Sequence, residues 1–79
     1  MDLLEDLRAV DGWDMLSNHQ RDVLFVVYQD HARADQGARI ANMVRVAAAP
    51  YNEQQVCVYY QDKLYYYGLE TYDGRSIWY

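Results

Sequence analysis

Residues 56–79 read VCVYYQDKLYYYGLETYDGRSIWY, and this stretch decides the fold. Three runs rich in Val, Tyr, Leu, Ile and Trp are separated by Gln61-Asp62-Lys63 and Asp73-Gly74, residue types that reverse a chain. The spacing predicts strands over 56–60, 64–71 and 76–79, joined as a three-stranded antiparallel meander. Asp73-Gly74 is the strongest local signal, a two-residue hairpin turn whose members both tolerate positive φ.

A strand turns alternate side chains to opposite faces, so adjacent tyrosines cannot all enter one small core. With two-residue turns at Asp62-Lys63 and Asp73-Gly74, Tyr60 faces Tyr65, Val58 faces Tyr67, Val56 faces Leu69 and Leu69 faces Trp78. The core face is then Val56, Val58, Tyr60, Tyr65, Tyr67, Leu69 and Trp78. The opposite face carries Cys57, Tyr59, Leu64, Tyr66, Glu70, Ile77 and Tyr79. Several phenol rings are left outside the core, more apolar surface than the scattered single residues of an ordinary monomer.

Upstream the pattern is helical. Leu3, Leu4, Leu7 and Val10 predict a short helix over 2–10, with Asp2, Glu5 and Asp6 in the first turn, where the helix dipole favours acids. Asp11-Gly12 ends it, and Trp13, Met15 and Leu16 are expected to fold back on it. Ser17-Asn18-His19-Gln20 is a capping box, predicting a helix to about Ala34 with Val23, Leu24, Val27, Tyr28 and His31 inward. Ile40, Met43, Val44 and Ala47 lie at i, i+3, i+4, i+7 and predict a third helix over 38–48, stopped by Pro50. The expectation is a single α+β domain over 1–79: two to three helices (1–49) packed on a three-stranded meander (55–79).

Composition narrows function. The chain has 79 residues and a formal net charge of −5, with one Lys, six Arg and no basic cluster, which disfavours direct nucleic-acid binding. Five acids, Asp2, Glu5, Asp6, Asp11 and Asp14, face a single Arg8 in the first fourteen residues. A lone cysteine, Cys57, excludes an intramolecular disulfide. No signal-peptide pattern or membrane-length apolar run is present, so the expected address is the cytoplasm.

Catalytic and metal patterns do not emerge. His19 and His31 would stand ~18 Å apart along one helix at 1.5 Å per residue, too far to share an ion. Cys57 lies mid-strand with no His or basic group beside it in sequence, and the glycines are isolated rather than arranged as a phosphate loop. No cofactor and no enzymatic activity are expected.

Two resemblances bear on function. Residues 16–24, LSNHQRDVL, followed by 37–41, GARIA, resemble the opening helices of a winged-helix regulator. That implies a DNA-binding dimer in which Arg33, Arg39 and Arg45 contact phosphates. In length, acidity, Asp2/Glu5/Asp6/Asp11/Asp14 cluster and Tyr-rich sheet, the chain also resembles small phage-encoded anti-CRISPR inhibitors. That resemblance implies a stoichiometric inhibitor, active in the host-cell cytoplasm, occupying the basic nucleic-acid-binding surface of a CRISPR effector complex. On this reading the acids steer encounter, while Tyr59, Tyr66 and Tyr79 supply short-range affinity. A homodimer closed over the Tyr face is a third reading.

Overall fold

The structure, a computed structural model describing residues 2–79, is α+β: one long helix and a four-stranded antiparallel sheet. Helix α1 spans Leu3–Arg8, and the Asp2 carboxylate caps it by accepting the Leu4 N–H at 3.0 Å. A 3-10 turn, Trp13–Met15, follows and buries Trp13. Helix α2 spans Asn18–Ala34, opened by the capping box: the Ser17 hydroxyl accepts from Gln20 N–H and the Gln20 side chain accepts from Ser17 N–H. Its buried side holds Val23, Leu24, Val27, Tyr28 and His31, as the pattern predicts.

The third predicted helix does not form. Residues Ile40–Asn42 make one 3-10 turn, and Met43–Ala48 is strand β1. Strands β2 (Val56–Tyr60), β3 (Leu64–Leu69) and β4 (Ser76–Trp78) complete a meander in the order β1-β2-β3-β4. One physical reason favours the strand and a second explains the helical pattern. Val56, Cys57 and Val58 are consecutively buried, so β2 is an interior strand that needs a hydrogen-bonded neighbour on both sides. A bulge between Met43 and Arg45 also inserts Val44 as an extra, exposed residue. Met43 and Val46 point inward while Val44 and Arg45 do not, so the period of two is broken and the sequence mimics a helical stripe.

The register also differs from expectation, by two residues at each hairpin. Val58 faces Tyr65, Val56 faces Tyr67 and Tyr67 faces Trp78. The first turn is Gln61-Asp62, closed by Tyr60 N–H donating to the Lys63 carbonyl at 2.8 Å. The second is a four-residue loop, 71–74, closed by Glu70 N–H to Arg75 O, also 2.8 Å. Only Gly74 in it takes positive φ, +68°. A slip of two keeps every side chain on its predicted face, whereas a slip of one would have exchanged the faces.

α2 packs on β2, β3 and β4 on one side of the sheet, and the 3-10 turn at Trp13 packs on β1. The enclosed core includes Leu7, Trp13, Leu16, Leu24, Val27, Val46, Val56, Val58 and Tyr67. The outer edge of β1 is fastened by the Val46 N–H, which donates to the Asp11 carbonyl at 2.9 Å. Gly12 makes that approach feasible: with φ +95°, a Cβ there would lie 1.9 Å from the Val46 carbonyl oxygen.

Candidate functional site

The sheet face turned away from α2 is built in cross-strand layers. Arg45, Tyr59 and Leu64 form one layer, and Ala47, Cys57 and Tyr66 the next, extended to Tyr79 by the paired Tyr66 and Tyr79 backbones. The third layer pairs Gly68 with Ile77 on β4, and Gln55 reaches over Gly68 from the next strand. Tyr66 and Tyr79 stack with ring centroids 5.6 Å apart, and the Arg45 guanidinium lies 4.0 Å over the Tyr59 ring. Gln55 also donates to the Tyr79 hydroxyl at 3.1 Å. Tyr59, Leu64, Tyr66 and Ile77 are half-buried by one another and Tyr79 is 61% exposed. The structure thus gathers Tyr59, Tyr66 and Tyr79 on one surface that neither α1 nor α2 covers. Cys57 is buried at its centre between Ala47 and Tyr66, and burial raises its thiol pKa against the opposing effect of Arg45. Arg45 is a basic neighbour that sequence proximity did not reveal, because it comes from the strand mistaken for a helix.

The acids are distributed differently. Asp2 and Glu5 are exposed on α1, Asp6 is half-exposed there, and Asp11 and Asp14 are exposed in the connection that follows. Among the described residues, ion pairs form at Arg33–Asp30 (3.6 Å) and Arg75–Asp73 (3.0 Å), and none involves these five carboxylates. Arg21 donates to the Trp13 and Asp14 backbone carbonyls, both at 3.2 Å, rather than to the Asp14 carboxylate. Asp11 shares a shallow groove with Arg45 and Ala47, which puts it at the rim of the tyrosine face. Asp2, Glu5 and Asp6 stay on α1, so the acids and rings do not merge into one pocket.

A second constellation lies on the core side, centred on His31. The ring is fully buried, stacked on Trp78 (centroids 5.1 Å, 25°) and edged by Tyr65 at 4.4 Å and Tyr67 at 5.4 Å. Nδ1 is 2.6 Å from the Tyr67 hydroxyl, which is 2.5 Å from the Tyr60 hydroxyl. Nε2 has no hydrogen-bond partner, and a carboxylate oxygen of Asp35 stands 3.7 Å away. A neutral imidazole has one N–H, and the carboxylate places it on Nε2. Tyr60 then donates to Tyr67, and Tyr67 donates to Nδ1. Burial lowers the His31 pKa, partly offset by Asp35 and reinforced by Lys63. Burial likewise pushes the Tyr60 and Tyr67 phenols far above the ordinary tyrosine range. Helical spacing indicated that His31 points inward, but the partners come from β2, β3 and β4, 29 or more positions along the chain.

His19 is exposed, far from this cage, and no three His, Cys, Asp or Glu side chains converge as metal ligands among the described residues. No described helix is long and apolar enough to cross a membrane. Compared with protein-family models, curated proteins and solved structures, the chain matches none.

Proposed function

We propose that this chain is a stoichiometric inhibitor that docks on a partner protein's basic, nucleic-acid-binding surface, in the manner of anti-CRISPR proteins. The supporting observation is the uncovered sheet face: Tyr59, Tyr66, Ile77 and Tyr79 are contiguous there, rimmed by Asp11. Amphipathic rings with few rotatable bonds are good anchors for a protein contact. Charge complementarity selects the occupant. A chain of net charge −5, with five N-terminal acids free of intramolecular ion pairs among the described residues, attracts a cationic surface and repels a second copy of itself.

The winged-helix alternative has less support. Its recognition helix would have to come from residues 38–48, which run as a 3-10 turn and an edge strand. Arg45, one of the arginines that reading would place on phosphates, lies over Tyr59.

The test is displacement. Increasing amounts of the protein are added to a CRISPR effector complex holding a fluorescent target duplex. Release should saturate at a fixed stoichiometry, slow with added salt, and slow further when Asp2, Glu5 and Asp6 become amides. Tight duplex binding by the protein alone at low salt, with no release from the effector, would establish the regulator reading instead. A concentration-dependent dimer abolished by Tyr66→Ser, again without release, would identify the homodimer.

A further inference from the structure

The cleft at the C-terminal end of α2 is distinct from the tyrosine face and is walled by Asp35, Tyr60, Asp62, Lys63 and Tyr65. We propose that it receives one basic side chain of the partner, its N–H groups held by Asp35 and Asp62 and its charge lying against the Tyr65 ring. This inference rests on the proposed docking to a cationic protein surface and adds a specific anchor point.

Four observations converge on a cation. Asp35 spends one carboxylate oxygen on the Gly37 N–H (2.9 Å), while the other makes no hydrogen bond and stands 3.7 Å from His31 Nε2. That nitrogen carries the imidazole N–H and is buried behind the Tyr60 and Tyr65 rings that line the cleft, so the outer oxygen of Asp35 keeps its capacity to accept a hydrogen bond. Lys63 Nζ lies 4.7 Å over the Tyr65 ring yet forms no ion pair with either carboxylate, so an internal ammonium marks where positive charge is favoured. The cleft also sits at the negative end of the seventeen-residue helix α2. Arg45 over Tyr59 shows the stacked geometry that an incoming guanidinium would adopt on a tyrosine of this sheet.

Lys63 plays two parts in this arrangement. It lies over the ring in the free protein and must swing aside when a stronger cation enters, which its long flexible stem allows. Asp62 sits in an exposed turn and Asp35 at a helix cap, so either can become an amide without disturbing the core.

An NMR titration of the full chain with N-acetylarginine methylamide at low salt tests the site. Saturable shifts should be confined to Asp35, Gly37, Asp62 and Tyr65, with a linked change in the His31 ring nitrogens. Asp62→Asn should weaken binding about tenfold, the loss of one charge-assisted hydrogen bond. Choline, a cation without N–H donors, should also bind about tenfold more weakly for the same reason. Lys63→Met should tighten binding by vacating the ring. Unsaturable shifts spread over the α1 acids, or binding indifferent to Asp62→Asn, would overturn the proposal. So would a partner complex unaffected by Asp62→Asn while the small probe still binds. The probe arm needs no partner, so failure of the inhibitor reading is recognised separately: displacement is lost while arginine binding persists.

Discussion

The two faces of this sheet use the same residue for opposite purposes. On the covered face, Tyr60, Tyr65 and Tyr67 surround His31, and the Tyr60 and Tyr67 hydroxyls form a buried hydrogen-bonded chain that runs to its imidazole. On the open face, Tyr66 stacks on Tyr79, whose hydroxyl accepts from Gln55, and Tyr59 lies under Arg45. Tyr66 and Tyr67 are neighbours in sequence, yet one is half-buried and the other completely enclosed. The comparison separates residue type from position: a tyrosine here is a core residue or a surface anchor according to its parity along the strand.

The sharpest way to break the comparison is one substitution on both faces. Tyr67→Ala should cost about 3–5 kcal/mol in urea denaturation, the range for emptying a large buried aromatic site. Tyr66→Ala should cost about 1 kcal/mol or less while weakening partner binding. Equal losses would mean that the open face is as structural as the covered one.

Removing only the hydroxyl refines the contrast. Tyr67→Phe should cost about 1–3 kcal/mol, because it strands His31 Nδ1 and the Tyr60 hydroxyl without partners in the interior. Tyr66→Phe should be close to neutral by the same measurement.

The covered face should also respond to pH where the open one does not. His31 is held neutral, its pKa lowered by burial below the ordinary 6.5, so the unfolded chain takes up a proton before the folded chain does. Its contribution to stability is full above about pH 6.5 and is lost as pH falls below that value, with a limiting slope of about 1.4 kcal/mol per pH unit. Asp35 opposes this from the C-cap of α2 and Lys63 reinforces it from the β2–β3 connection. Tyr60 and Tyr67, whose phenols burial pushes upward, remain neutral throughout that window. Urea midpoints between pH 7.5 and 5.5 measure the slope, and a flat profile would mean that His31 acquires its proton inside the fold.

A small effect of a different kind is expected from the cation on the open face. Arg45→Met removes a guanidinium from the Tyr59 ring and should change stability by about 0.5–1 kcal/mol, the exposed cation–π range. Its larger consequence should be on binding, where a bare Tyr59 becomes more accessible.

Much of this was legible in residue pattern. The Ser17–Gln20 capping box and the inward set of α2 are local signals, written within a few turns of helix. The bounds of β2 and the parity of both faces followed from hydrophobic alternation, and survived a register slip because that slip was even. The strand at Met43–Ala48 was not legible, since a bulge at Val44 replaced alternation with a helical spacing. Grouping Tyr59, Tyr66 and Tyr79 needed only parity. The His31 cage and the Asp35–Asp62 cleft were invisible, because their members come from separated segments brought together by packing.

Sequence alone determined the amphipathic helix α2, the presence of strands β2, β3 and β4, and which side of each of those strands is apolar, because those depend on periodicities of two and 3.6 within a single segment. Tertiary structure decided that β2 needs a second neighbour, that Gly12 fastens the outer edge of β1, and that His31 lies among three tyrosines and a tryptophan. Those outcomes depend on backbone hydrogen bonds and side chains meeting across long chain separations. No local pattern encodes that geometry.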